Sequence, residues 1–483
     1  MKPSRNNSSP TDRAGRIISA FIVAFSALAL LCLGVAIGGR FFFEWPLEWM
    51  EGAMLQGAVR VLEGLPLYAP PRAVYVPFLY PPLSYLSMAA SIALFGHAFW
   101  AARLPSVLAL LGTLAFAAKT ASEQSKSRFA AVLTVGLIAL GYGYGEAFYD
   151  LARLDMVFLV LVVAGTERLQ KGRAKTALAL FVVSCLAKQH GLIFLFSASA
   201  CLALRDLRRY LLSLAGAWLG VVAIYLSMHL LTGGWSTIYL LMVPRWHGVI
   251  PKLILAYFIY DVFMLLPLLA VISFAALWRH RFSPRAIDFM LMAALAASAL
   301  GRAHPGGHDN VLIPGFVFMS IATSASLVPV LLSETRRAAL RVLIAAGLFL
   351  QSLMLFQSPT LFWPPSGSPE KFSRAVAALN ACAKNREAVS LDFAMLTETP
   401  FLHTMQLSDI RAGGDNWLGR MGTSALTERL SGEDAPFAIA VGASFTELDR
   451  VLKRYYQECA TLEAPRMATG YEPQKMTIYK RRE

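Results

Sequence analysis

Charge is what this chain has least of. Only 15% of its 483 residues are Asp, Glu, Lys or Arg, where a soluble domain carries about 25%. With 56% hydrophobic residues and a mean hydropathy of +0.53, that scarcity excludes an ordinary soluble enzyme. Five cysteines are too few for a disulfide scaffold. No internal repeat is visible, which argues against a solenoid or a transporter built from duplicated halves.

What is present instead is a succession of apolar runs from residue 17 to about 357, many of them near the roughly 20 residues that cross a bilayer. The spans are predicted at 17–39, 102–118, 129–146, 155–167, 176–190, 191–204, 210–231, 253–277, 286–301, 311–333 and 339–357. That makes about eleven transmembrane helices after a short tail, 1–16. Run 17–39 lacks a small-residue cleavage site and is followed by further spans, so it reads as a retained helix, not a signal peptide.

The net charge of +14 does not point to nucleic acid. Its basic residues fall in short clusters between apolar runs: Lys2/Arg5/Arg13/Arg16, Lys119/Lys126/Arg128, Arg168/Lys171/Arg173/Lys175, Arg205/Arg208/Arg209, Arg279/Arg281/Arg285 and Arg336/Arg337/Arg341. Positive loops face the cytoplasm, so the expectation is an inner-membrane protein with its N-terminus cytoplasmic and its C-terminus periplasmic. Counting 79–100 as a span would invert every later loop. That segment, with Tyr80, Tyr85, Phe99 and Trp100, is therefore placed as interfacial helices within the first external loop, 40–103.

From Ser358 the composition becomes ordinary. Residues 358–369 read as a linker, and 370–483 as a small α/β domain. Helical patterns at 370–384, 423–431 and 445–458 alternate with strand-like runs at 388–393, 435–441 and 475–479. Cys32, Cys185 and Cys201 fall in spans, as small packing residues. Cys382 and Cys459 fall in the C-terminal domain, where a periplasmic setting allows a disulfide and buried thiols are the alternative.

The polar residues with chemical potential gather on the expected external side. Glu44, Glu48 and Glu51 stand in an aromatic loop at the bilayer surface, a costly place for carboxylates. A partly buried one would have a raised pKa, suiting a general base. Capping of a helix beginning near Leu47 is the plainer role for Glu44 and Glu48. In the second external loop Arg153 precedes Asp155 by two residues; Asp155 either caps a helix or, with Arg153, positions a phosphate or hydroxyl. Lys188, at the outer end of the fifth helix, needs a partner or a ligand. Arg245, beside Trp246 and His247, is an anion-binding candidate or a headgroup contact. His304 and His308 lie in a glycine-rich loop and could ligate a divalent metal, but no third ligand accompanies them, so hydrogen bonding to phosphate or sugar fits them better.

In order, these elements resemble the GT-C fold of membrane glycosyltransferases, which includes protein O-mannosyltransferases, lipid A aminoarabinose transferases and rhizobial lipopolysaccharide sugar transferases. Carrying the resemblance are Glu51-Gly52, Arg60-Val61-Leu62, Gly64-Leu65-Pro66-Leu67-Tyr68, Tyr80-Pro81-Pro82-Leu83-Ser84-Tyr85, Phe95-Gly96 with Arg103-Leu104-Pro105-Ser106, Arg153-Leu154-Asp155, Lys188-Gln189 and Gly306-Gly307-His308-Asp309-Asn310. It covers about residues 17–330. Two departures stand out: the usual acidic pair is Met50-Glu51, and no Asp-x-Asp motif in the first loop calls for a divalent metal.

The resemblance implies an all-α polytopic bundle bearing a transfer site on its periplasmic face. It implies a polyprenyl-phosphate sugar as donor, a lipid, glycan or protein of the envelope as acceptor, and inversion by direct displacement. It makes Glu51 the base and Asp155 an orienting group. Arg103, Arg153, Lys188 and Arg245 would hold the donor phosphate, with His304 and His308 as weaker candidates. Glu48, Tyr80, Tyr149, Asp309 and Asn310 would line the substrate site. A lipid transporter or flippase and a non-catalytic envelope-assembly protein are the competing readings.

Overall fold

Apolar segments with few internal breakers must satisfy their backbone within themselves once out of water, so they fold as helices. The computed structural model describes residues 10–304, 306–333, 338–392, 401–470 and 473–482. Residues 1–9 of the expected tail, and the basic residues Arg336 and Arg337, lie outside them.

Eight helices form the first half: α1 (Pro10–Gly38), α2 (Glu51–Leu62), α3 (Leu83–Phe95), α4 (Phe99–Ser125), α5 (Arg128–Leu140), α6 (Asp155–Gln170), α7 (Ala174–Ala187) and α8 (Gly191–Leu231). The spans expected at 191–204 and 210–231 join in α8, which breaks at Asp206 (φ −168°, ψ 89°). The Asp206 carboxylate accepts from the Arg209 amide at 3.1 Å and restarts the helix there. The expected span 129–146 ends early, at Leu140. Beyond it Gly141 packs so closely that a Cβ would stand 2.0 Å from the Phe316 ring, and Glu146 and Ala147 take positive φ.

The expected span 253–277 is also divided. Trp235–Trp246 and Pro251–Met264 form a pair bent by 82°, and α9 (Pro267–His280) begins anew behind Leu265-Leu266. Pro251 and Pro267 open their helices, where a missing amide proton costs nothing. Then come α10 (Ala286–Arg302), α11 (Ile313–Leu331) and α12 (Ala338–Leu355). Among the described residues five helices are by themselves long and apolar enough to cross a membrane, or six with the bent pair. Four shorter apolar helices, among them α3, α5, α7 and α9, accompany them. This is a multi-pass membrane bundle.

The C-terminal portion carries α13 (Ser368–Ala383), β1 (Ala388–Ser390), α14 (Thr404–Ile410), α15 (Trp417–Ser431), β2 (Ala438–Val441), α16 (Thr446–Tyr455), β3 (Tyr456–Glu463) and β4 (Lys475–Arg481). Its sheet has the order β1-β2-β4-β3, with β1 parallel to β2 and the other pairs antiparallel. The expected helix 445–458 stops at Tyr455 and turns directly into β3; α14 was not foreseen. Cys382 on α13 and Cys459 on β3 are joined in a disulfide.

This portion grips the first loop. Phe372 stacks on Trp45 with ring centroids 4.8 Å apart, and the Ala468 and Thr469 amides donate to the Leu47 carbonyl. Gly470, at φ +78°, lies so near Glu48 that a Cβ would stand 2.8 Å from its Cγ. The small domain is thereby seated over the acidic loop.

Candidate active site

Two buried ion pairs build the frame. The Arg40 guanidinium binds Asp150 and the Ala147 and Phe362 carbonyls, tying the end of α1 to the segment before α6. Arg103, on α4, donates to both oxygens of Glu51 (3.1 and 2.8 Å) and to the carbonyls of Phe41, Phe43 and Trp45. Glu51 completes its shell with the Leu47 and Ala152 amides at 2.7 and 2.8 Å. Both side chains are fully buried. Burial alone would raise the Glu51 pKa, but Arg103 and the two amides hold it below the usual carboxylate range.

This corrects two expectations. Glu51 is not placed as a base: its fully buried carboxylate is taken up by Arg103 and two backbone amides. Arg103 is not placed as a phosphate ligand, because its donors are spent within the loop it organises. A third correction concerns Tyr149, which is fully buried with its hydroxyl on the Ile138 carbonyl at 3.3 Å and cannot line a substrate site. Neither Glu44 nor Glu48 caps α2, whose N-cap is Met50 without a side-chain bond.

Next to this frame lies a polar cluster with open valences. Arg153, 6% exposed, reaches Glu48 at 3.4 Å and the Tyr80 hydroxyl at 3.3 Å, while its Nε has no partner. Burial raises the Glu48 pKa above the usual range, and Arg153 only partly offsets this. Asp155, at the start of α6, takes Lys188 Nζ at 2.8 Å and the Asn310 amide at 3.2 Å. It is therefore an ion-pair partner of α7 and not an N-cap. His308 approaches Glu146 at 3.7 Å, a contact that raises its pKa despite burial.

On the side of the bent pair, buried Nδ1 atoms of His190 and His304 have no partner, and the His304 ring lies 6.4 Å from that of His247. A cavity of about 240 Å³ opens there, lined by Tyr260, Asp261, Arg302, His304, Gly306 and Gly307. Arg302 is held by Asp261 at 3.1 Å and Asp309 at 2.9 Å. Arg245 is exposed and has no ion-pair partner among the described residues. The structure thus brings Glu48, Tyr80, Arg153, Asp155, Lys188, His304, His308, Asp309 and Asn310 into one region. No group of three His, Cys, Asp or Glu with metal-binding geometry occurs among the described residues.

Sequence reasoning passed over Asp261, the partner of Arg302, and Asp409 on α14. Asp409 is 9% exposed, and burial pushes its pKa up to about 7 against the pull of Arg153. Its backbone carbonyl is bound by His247 Nε2 at 3.2 Å. Nothing in the local pattern around Ser408-Asp409-Ile410 marked it, since its setting is made by residues far away in the chain.

The chain shares its overall fold with two membrane proteins of solved structure, in keeping with the expected GT-C architecture. Among solved structures the chain is similar to ArnT from Cupriavidus metallidurans bound to undecaprenyl phosphate, with a TM-score of 0.56, 15% identity, and coverage of 95% of this chain and 98% of that one. The apo state of the same protein gives a TM-score of 0.53. AglB, the archaeal oligosaccharyltransferase from Archaeoglobus fulgidus, in complex with an inhibitory peptide and a dolichol-phosphate, gives 0.51 at 13% identity, covering 95% of this chain and 74% of that one. Coverage of 95% extends the likeness well past residue 330 and into the C-terminal domain. No family model matches the chain, and no curated protein sequence does either.

Proposed function

We propose that this protein is an inverting glycosyltransferase that moves a sugar from a polyprenyl-phosphate donor to an envelope acceptor on the periplasmic face of the inner membrane. One observation carries the reading: in a fold shared with proteins solved holding undecaprenyl phosphate or dolichol-phosphate, cationic and imidazole donors converge with unfilled valences. A leaving phosphate concentrates negative charge. Arg153, Lys188 and His304 would meet it in a region of low dielectric, where preorganised donors act most strongly, and the exposed Arg245 could do no more than approach it from solvent. Asp155 and Asn310 would hold Lys188 in place, and Glu48 and Tyr80 would orient Arg153. Asp309 would act through Arg302.

The ends of α6 support the proposed sidedness. Its C-terminal end carries Glu167 bound to Lys119 and Lys171, members of two basic clusters, at 3.1 and 2.7 Å. Asp155 stands at the other end, about 18 Å along the helix from Glu167 at 1.5 Å per residue. Basic loops face the cytoplasm, so the cluster belongs outside. The Cys382–Cys459 disulfide suits the same oxidising side. The eleven-span topology, with the N-terminus cytoplasmic and 370–483 periplasmic, is part of this proposal.

The test is transfer by the full chain in membrane vesicles, supplied with undecaprenyl phosphates carrying radiolabelled hexose, hexuronate or aminopentose. Label should pass to a lipid, glycan or protein fraction. Arg153→Ala should lose transfer while remaining folded. A wild-type chain that turns over none of these donors would sink the reading.

A further inference from the structure

We infer that His403, contributed by the C-terminal domain, is a positioning residue for sugar transfer: through Trp49 and Phe78 it fixes the two groups that orient Arg153. The inference rests on the transferase reading above and gives the C-terminal domain a part in the reaction.

The ring makes two different bonds. The Met405 amide lies 3.1 Å from His403 Nδ1, and an amide nitrogen only donates, so Nδ1 carries no proton. The proton therefore sits on Nε2, which donates to the Trp49 carbonyl at 3.2 Å. Nδ1 caps α14, while Nε2 crosses to the first loop. The side chain is 1% exposed and meets the Trp49 indole edge to face at 4.3 Å, so no water stands ready to replace either bond. Behind it the start of α14 is fixed to the sheet. The Asp392 carboxylate accepts from the Thr404 amide and hydroxyl, and from the Ala443 amide at 2.7 Å.

Both routes from this ring end on Arg153. Trp49 follows Glu48 in the chain, and on the other side the Leu47 carbonyl takes the Ala468 and Thr469 amides at 3.0 and 3.2 Å. The C-terminal domain thus holds the backbone on each side of the carboxylate that meets Arg153 at 3.4 Å. By the second route Phe78, 6.4 Å from the His403 ring, stacks on Tyr80 at 5.6 Å, and the Tyr80 hydroxyl is 3.3 Å from Arg153. Contacts of 3.3–3.4 Å hold a guanidinium weakly, so its placement depends on the backbone beneath its partners. The Glu51–Arg103 pair is different, since each of its hydrogen bonds comes from the first loop, α4 or the Ala152 amide. Loss of the His403 bond should therefore spare that pair and displace Arg153.

The experiment separates the two bonds. His403→Asn keeps an oxygen where Nδ1 stood, and Asn is a good N-cap, but it is too short to reach Trp49. His403→Gln can carry an amide to the Nε2 position and leaves the cap unfilled. Both are measured in the vesicle transfer assay, with kcat and donor KM determined beside the melting temperature. His403→Asn should lower kcat about 10- to 100-fold, the scale of a misplaced catalytic group, with donor KM within about twofold and the protein folded. His403→Gln should melt lower yet recover most of the lost kcat. A folded His403→Asn with wild-type kcat, or a His403→Gln that loses kcat as severely, overturns the inference and leaves the transferase reading standing. Should His403→Asn not fold, His403→Gln decides alone: near-wild-type kcat supports the inference and a tenfold loss overturns it. Failure of both to fold would make His403 a residue of folding only, which also overturns it. A silent wild type overturns both readings.

Discussion

Arg103 and Arg153 each face a carboxylate of the short segment Glu48–Gly52, and each is almost wholly buried. Arg103 spends its guanidinium on Glu51 and three loop carbonyls, while Glu51 spends its carboxylate on Arg103 and two amides. Arg153 meets its neighbours at 3.3–3.4 Å and keeps its Nε free. The same chemical pair is thus a rivet in one place and an unfinished site a few residues away. A saturated buried pair has nothing left for a ligand, whereas an unsaturated one is tolerable where a ligand completes it.

The sharpest way to break this comparison is Arg103→Ala. It leaves the Glu51 charge buried alone, at a cost of about 3–5 kcal/mol. The expected result is loss of folded protein, read as loss of the monodisperse peak in detergent. Folded, active Arg103→Ala would make Arg103 a dispensable group and dissolve the distinction. Next comes Arg153→Ala, expected to fold normally yet transfer about 100- to 1000-fold more slowly, the range for one donor to developing charge; an equal loss of folding would make Arg153 a second rivet.

Cys382→Ser should weaken the seat of the C-terminal domain on the first loop, destabilising it by about 2–4 kcal/mol. The melting of that domain should fall while the bundle persists, and a reductant should reproduce the shift only in wild type. The smallest effect concerns pH. Because the folded-state pKa of Asp409 lies above its unfolded value, at about 7, the stability it lends is complete below about pH 4. That stability is lost as pH rises through about 7. Asp409→Asn should therefore match wild type near pH 4 and melt higher than wild type near pH 8. A gap independent of pH would show that Asp409 is solvated or paired.

Much of the architecture was legible in the chain. Apolar runs announced the bundle because a bilayer forces backbone groups to pair within each segment. Tyr80, Arg153, Asp155, Lys188 and Asn310 were legible as one face of the bundle because each sits at a helix end or in a loop on the same side. Boundaries were harder: Gly141 and the Leu265-Leu266 break end helices for reasons of packing that hydropathy does not register.

Which polar residue stays free was the part the chain could not state. Glu48 and Glu51 are three positions apart in one motif, and nothing local distinguishes them. Their difference comes from Arg103 and the Ala152 amide, brought from 52 and 101 residues away. Asp409 lies further still, its carboxylate buried by a domain that folds back over the first loop. Sequence by itself determined that the chain folds as an apolar bundle of many helices and which polar residues stand at their ends, since hydropathy and charge act segment by segment. Tertiary structure alone decided which of those residues are satisfied, because satisfaction is a property of partners that meet only when the chain is folded.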